Sequence, residues 1–250
     1  MSSTEPGPAT ADLVLRPAGP DDVPGLTRVF LEARAGAVPA MPPPVHPPEE
    51  VLGYHHDRLA AGDEMWVAEA GDRTGSEVVG YCHVAGDWLD ALYVLPGRAA
   101  QGIGTALLDL VKGLRPDGFA LWVFVSNDPA RRFYRRHGLV ELERTDGSGN
   151  EERSPDLRMA WPGRDPMAYL RRQIDEVDAD LAQLLARRTT LAAAIQRFKP
   201  VPGHAGRDPG REAEIVRRMA AHAPDLDERT LARIMHEVIV AGLDLADRDR

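Results

Sequence analysis

The chain has 250 residues, 43% of them hydrophobic and 28% charged, with a formal net charge of −9; this length holds one large or two small domains of an ordinary soluble protein. No apolar run reaches membrane-spanning length, and the opening MSSTEPGPATAD has neither the cationic start nor the apolar core of a signal peptide, so neither a membrane nor a secretory role is expected. The single cysteine, Cys82, excludes internal disulfides and fits a cytoplasmic protein, and eight scattered His give no metal-ligand spacing, so no metal is expected.

Residues 1–165 carry 25 acids against 16 Lys and Arg, whereas 166–250 carry 14 of each. An acidic first part argues against nucleic acid as a partner and for neutral or cationic ones, although plain solubility explains the same excess. In chain order, residues 1–11 read as a disordered tail, DLVLRP as a strand and DDVPGLTRVFLEAR as a helix with acidic residues at its positive end. AVPAMPPPVHPP is a proline-rich loop, and EEVLGYHHDRLA a second helix. EMWVAEA, EVVGYCHVAG and WLDALYVL follow as strands, the first two joined by the turn GDRTG. GTALLDLVKGL is helical, FALWVFVS a buried strand, and PARRFYRRHG a helix ending at Gly138. LVELERT and DLRMAW complete a mainly antiparallel sheet.

LYVLPGRAAQGIGTALLDLV places Gly102 and Gly104 between a strand and a helix. A glycine loop there presents consecutive backbone N–H groups at the positive end of a helix, an arrangement that suits a pyrophosphate. About one strand later, VSNDPARRFYRRHGL puts Asn127 at a strand end and Tyr134 on the next helix. Together these segments resemble the GNAT acetyltransferase family over roughly residues 12–161. The family's loop pattern, Gln/Arg-x-x-Gly-x-Gly/Ala, aligns with Ala99-Ala100-Gln101-Gly102-Ile103-Gly104. The glycines match, while the first position is alanine and Arg98 lies one place early. The second segment matches N-x-x-A-x-x-F-Y-x-x-x-G-L.

That resemblance implies an α+β fold, a mixed sheet flanked by helices, with acetyl-CoA as acetyl donor in a splay between WLDALYVL and FALWVFVS. It further implies the backbone of Leu92 and Val94 at the acetyl-pantetheine end and the amides of Gln101, Gly102, Ile103, Gly104, Thr105 and Ala106 at the pyrophosphate. Asn127 would stand beside the cofactor. Tyr134 would be the acid that protonates the departing thiolate; a core tyrosine beside Phe133 is the alternative. For the base, Asp90, His83 and Tyr81 lie on neighbouring strands, and ordered water would also serve. Asp90 ranks first for reach and for its attraction to an ammonium. The proline-rich loop at 36–48 would flank the acceptor amine without naming it.

From Met167 only helical periodicity remains: a helix of about 30 residues, roughly 45 Å long, then two shorter ones. The linker is placed at residues 162–166 and the second domain at 167–250. Leu170, Ile174, Val177, Leu181, Leu184, Leu191, Ile195 and Phe198 alternate by four and three, the seam of a helix packed on other helices. Arg188 interrupts that seam. Three fates are open to it: pairing with a buried acid, reaching solvent over a buried stem, or facing an anionic ligand. Lys199 lies eleven residues on, within about 20° of the same direction. RDPGREAEI then reads as Asp208 at the N-cap, Pro209 at the first helical position, and Arg211 and Glu212 in the first turn.

LRRQIDEVDADLAQLLARRTTLAAAIQRFK and RDPGRE resemble the all-helical type II chorismate mutases, L-R-x-x-I-D-x-[IV]-D-x-x-[IL]-x-x-L-L-x-x-R…K and D-x-x-R-E, over essentially all of 167–247. The resemblance implies a three-helix domain in an intertwined homodimer that converts chorismate to prephenate without a cofactor. Arg188, and Arg171 reaching in from the other copy, would clamp two substrate carboxylates. Lys199 would donate to the ether oxygen, and Asp208, Arg211 and Glu212 would line the ring and hydroxyl side. The pericyclic reaction needs a dianion held in its compact conformer and charge stabilised at the ether oxygen, which fixed cations supply. The third helix departs from the pattern, with Gly242 where a serine is usual and Ala246 where Gln or Glu is usual; Asp247 is adjacent. The whole therefore reads as a bifunctional enzyme. The alternatives are a mutase of 4-amino-4-deoxychorismate and a dimerising, ligand-sensing module for the acetyltransferase.

Overall fold

A computed structural model describes residues 12–72, 75–201 and 203–248; the expected tail at 1–11 lies outside them, as do two residues of the GDRTG turn. The chain divides into two compact units, up to Leu170 and from Arg171. In the first, seven strands form one sheet: β1 Asp12–Pro17, β2 Glu64–Asp72, β3 Gly75–Ala85, β4 Trp88–Val94, β5 Phe119–Phe124, β6 Val140–Arg144 and β7 Asp156–Trp161, in the order β1-β2-β3-β4-β5-β7-β6. Every neighbouring pair is antiparallel except β4 and β5. The helices are α1 Val23–Gly36, α2 Pro48–Ala60, α3 Ile103–Leu114 and α4 Asp128–Arg136.

Their sequences explain these elements. Val78 to Val84 is buried without interruption, the pattern of a strand covered on both faces. In α3, Ile103, Leu107, Leu108 and Val111 repeat at helical spacing and all sink into the core formed with Val67, Val79 and Leu121. Asn127 caps α4 by accepting the Ala130 N–H at 3.2 Å, and Gly138, at φ +83°, ends it in the left-handed conformation.

The second unit carries most of α5 Pro166–Gln196, then α6 Pro209–Ala220 and α7 Glu228–Arg248. Val216 of α6 and Leu231 and Met235 of α7 form its buried centre, flanked by Ile215, Met219, Val238 and Ile239. The seam of α5 is not covered within one copy. Ile174, Val177, Leu181, Leu184, Leu191 and Ile195 are 50–61% exposed, and Phe198 is 87% exposed. Packing on other helices, expected from the heptad pattern, is therefore missing from the isolated chain.

The first residues of α5 belong to the first unit, which moves the division between units a turn beyond the 162–166 linker read from sequence. Tyr169 is buried against Ala120 and Ala160. It lies over Gly118, where φ is +112° and a Cβ would stand 2.5 Å from the tyrosine ring and 2.8 Å from the Trp161 carbonyl. Gly118→Ala is therefore expected to destabilise the first unit by about 2 kcal/mol or more. Thermal or urea unfolding measures this, and a variant as stable as the parent would show that the Tyr169 contact yields freely.

Candidate functional site

β4 and β5 meet at one pair only, Trp88 opposite Ala120, where the Ala120 N–H donates to the Asp87 carbonyl at 2.9 Å. Beyond it the two strands part. The Leu95 N–H turns to the Val79 carbonyl of β3 at 2.9 Å, and strand alternation then directs the backbone groups of Leu92 and Val94 the other way, into the gap. These are the two residues that the GNAT resemblance assigns to the acetyl-pantetheine end. At the end of β4, Ala100 and Gly102 take positive φ, +62° and +82°, and Gly102 is the N-cap of α3. That leaves the amides of Ile103, Gly104 and Thr105 unpaired by helix geometry, at the positive helix end. Ala106 is a correction to the expected cradle: its N–H already donates to the Gly102 carbonyl at 2.9 Å, closing the first helical turn. Gln101 reaches back to the Gly97 carbonyl at 3.5 Å, and Thr105 Oγ1 bonds His137 Nε2 at 3.1 Å. Asn127 has its side-chain oxygen on the α4 cap.

β4 also carries a bulge. Leu89 lies opposite Val84 and Ala91 opposite His83, so Asp90 has no partner on β3, and a bulge re-aims the side chain it carries. Asp90 lines a cavity of about 770 Å³ bounded by α1, α2, the proline-rich loop, β3, β4 and the β6–β7 loop. Desolvation in the cavity raises its carboxyl above its ordinary value, more than nearby His83 lowers it. His83 is fully buried; its Nε2 is 3.0 Å from Asp63 Oδ2 and its Nδ1 is 3.9 Å from Asp90 Oδ2. Tyr134 is buried edge-on to Phe133, and burial pushes its phenol well up, so it holds its proton at neutral pH.

In the helical unit, Asp208 caps α6 as expected, accepting the Arg211 N–H at 3.0 Å, with Pro209 at the first helical position. Arg188 is half-buried, and its Nη1 reaches the Val238 carbonyl of α7 at 3.4 Å. Among the described residues it makes no ion pair. Lys199 departs from the helical projection: α5 ends at Gln196 ahead of Pro200, which cannot continue a helix, and Lys199 Nζ donates to the Gly206 carbonyl at 2.6 Å. Arg211 pairs with Glu214 at 2.6 Å on the exposed face of α6. Glu212 is gripped by both arms of Arg207, at 2.8 and 2.6 Å, which lowers its carboxyl pKa. A groove of about 550 Å³ between α6 and α7 is lined by Glu212, Val216, Met235 and His236, not by Arg188, Lys199 or Arg211. Gly242 and Ala246 are buried, and a Cβ on Gly242 would meet the Ala192 Cβ at 3.7 Å. The Asp247 side chain lies outside the described residues.

Residues 61–141 match the model of the acetyltransferase (GNAT) domain, and residues 170–246 that of chorismate mutase type II. The chain joins these two enzyme domains. Residues of the first also align with the peptidyl-lysine N-acetyltransferase YiaC of Escherichia coli (strain K12), 26% identical over 152 residues, 60% of this chain and 97% of that protein. Similar solved structures include apo YjaB from Escherichia coli, 20% identical with a TM-score of 0.45 over 61% of this chain and 99% of that one. A GCN5-related N-acetyltransferase from Rhodopseudomonas palustris is 22% identical, with a TM-score of 0.46 over 62% and 98%.

In the acetyltransferase domain, Asp63 and the α2 residues that wall the cavity escaped the sequence reading, because their meeting with Asp90 comes from strand pairing and no short motif encodes it. The same holds for His55. It is buried between Thr27 Oγ1 and Tyr81 Oη, each 3.1 Å away, and burial, with His83 nearby, lowers its pKa to about 4. The imidazole is thus neutral in the fold and titrates near 6.5 when unfolded, so between those values the unfolded chain binds more protons, and stability rises with pH and is lost as the pH drops from about 6.5 toward 4. Urea unfolding across that range is expected to show this loss, and His55→Gln is expected to flatten it. An unchanged slope in that variant would assign the dependence elsewhere.

Proposed function

We propose that the first domain transfers an acetyl group from acetyl-CoA to an amine held in the Asp90 cavity, and that the second rearranges chorismate to prephenate as a homodimer. The parting of β4 from β5 beside the αL-capped loop supports the first reading. Bound acetyl-CoA would supply the acetyl group as a thioester. The residues fit it: the outward backbone of Leu92 and Val94 suits the amide-bearing arm, and the amides of Ile103, Gly104 and Thr105 suit a pyrophosphate. Gly104 leaves ordinary space before Phe133, which a bulky side chain would close. Asp90 takes the proton from the attacking nitrogen, and its raised pKa makes it a better base than an ordinary carboxylate. His83 and Asp63 position it. Tyr134 Oη holds a proton for the sulfur. One C–N bond forms as one C–S bond breaks, with no change of oxidation state. YiaC is named for acetylating a peptidyl lysine, and its chemistry, transfer to a primary amine, is the one proposed here.

For the helical domain, the absence of a carboxylate partner at Arg188 among the described residues supports the ligand-facing fate over a structural ion pair. A dicarboxylate would draw that guanidinium, with Arg171 from the second copy. Lys199 would turn from the Gly206 carbonyl to the ether oxygen, and Asp208, Arg211 and Glu212 would border the ring. The exposed stripe from Ile174 to Ile195 would be covered by the second copy, because about 85 residues with a helix of this length bury too little alone. Apolar Gly242 and Ala246 favour a second reading, a mutase of 4-amino-4-deoxychorismate or a ligand sensor, since a missing donor costs about 2–4 kcal/mol of transition-state stabilisation.

Asp90→Asn is expected to lower acetyl transfer by about 10²-fold or more and to abolish the acid limb of the kcat/KM–pH profile, while Gly104→Trp removes acetyl-CoA binding in calorimetry. A full-rate Asp90→Asn would assign the proton to water. Arg188→Ala should lower chorismate turnover by about 10²–10³-fold with the helical content intact, and Leu184→Glu should yield monomers in sedimentation. Binding of both chorismate and its amino analogue with turnover of neither would identify the sensor.

A further inference from the structure

The walls of the Asp90 cavity are unevenly charged. Five carboxylates border it: Glu50, Asp57, Asp90, Glu151 and Glu152. The cations are Arg34 and His46, and both are already committed. Arg34 is buried with Nη2 2.9 Å from Glu152 and 3.2 Å from the Pro42 carbonyl. His46 spans the rim, its two nitrogens 2.8 Å from Glu50 and 2.7 Å from Glu151. Arg34 keeps a buried Nε–H without a partner, but its charge is already met by Glu152, and five carboxylates against two cations make the field inside favour positive charge. Of the aromatic rings in the lining, Phe30 and Tyr54 already carry Arg34 and Arg58 over them, at 5.9 and 5.5 Å, and Tyr93 adds a further ring.

The acids are also spread along the cavity. Tyr54 and Glu50 of α2 line the cavity with Asp90, about 6 Å apart along the helix axis, and one His46 between the two carboxylates of Glu50 and Glu151 leaves that end of the cavity net negative. One ammonium at Asp90 thus leaves a second acidic group, Glu50 with Glu151, on the same cavity. The roof argues for a small ligand. Arg34 and His46 tie the β6–β7 loop to α1, to the proline-rich loop and to α2, and a volume of about 770 Å³ is the size of a small-molecule site.

We infer that the acceptor is a small diamine or polyamine: a primary amine presented to Asp90, with a second cationic nitrogen on the same molecule held by Glu50 and Glu151, and no carboxylate. This rests on the acetyltransferase reading, and it deepens it by naming the substrate class. The transfer itself is the one balanced above, with the second nitrogen unchanged.

The test uses the full-length protein with cadaverine, pentylamine, aminohexanoate and a lysine-containing peptide. Thiol release is expected to give cadaverine a kcat/KM at least about tenfold above pentylamine and above both other amines. Glu50→Gln with Glu151→Gln should shrink the cadaverine-over-pentylamine ratio toward one, with acetyl-CoA binding retained in calorimetry as evidence of folding. Equal or better use of pentylamine, aminohexanoate or the peptide overturns the inference, as does a ratio that ignores the two substitutions. Direct cadaverine calorimetry without acetyl-CoA separates the two readings. Acetyl-CoA binding with no cadaverine binding sinks the diamine alone. Cadaverine binding that depends on Glu50 and Glu151, in a protein that never binds acetyl-CoA, upholds the cation site and sinks the acetyltransferase reading.

Discussion

A parallel strand pair joined at a single point leaves two polar edges without partners, and the acetyltransferase domain is organised around that gap. β4 is held on its other side by β3 through Leu95 and its neighbours, so it cannot swing across to satisfy β5. β5 in turn is held by β7 along its whole length, from Phe119 opposite Trp161 to Phe124 opposite Asp156. With both strands anchored outward, the backbone of Leu92 and Val94 faces open space, and unpaired backbone groups inside a fold call for a partner. The αL residues Ala100 and Gly102 then aim the first amides of α3 at the same region, and the bulge at Asp90 presents a carboxylate beside it. Three local irregularities of one strand and its following loop thus converge.

The helical domain shows the complementary deficit, in apolar surface. α6 and α7 bury Val216, Leu231 and Met235 between them, but α5 keeps its stripe in water. That stripe is long and regular, and on the proposed reading a second copy would cover it. Arg188 sits within it, bonded only to a backbone carbonyl of α7 among the described residues. An arginine whose charge has no counter-ion among the described residues would favour an anion on the proposed reading, and dimer formation would lower the dielectric around it. Assembly and ligand grip are in this view one requirement. The first domain carries an acid-walled cavity and the helical domain an arginine without a carboxylate partner among the described residues, so on the proposed reading the two units have opposite charge preferences.

Much of this was legible from residue order alone. The heptad spacing located α5, the Asp208-Pro209 pair located the start of α6, the two glycines located the start of α3, and Asn127 and Gly138 bracketed α4, because caps, turns and periodicity are local physics. What depends on residues distant in sequence was not legible. Ala106 looked available until helix closure claimed its N–H, Lys199 looked helical until Pro200 turned the chain, and the Asp63–His83–Asp90 group joins a turn and two strands. The sequence by itself determined which segments are helix or strand and which residues are chemically equipped to act. Only the tertiary structure decided which carboxylates share a cavity, which cations are already paired, and where backbone is left unbonded. Those depend on strand register and on contacts between residues tens of positions apart, which no local pattern encodes.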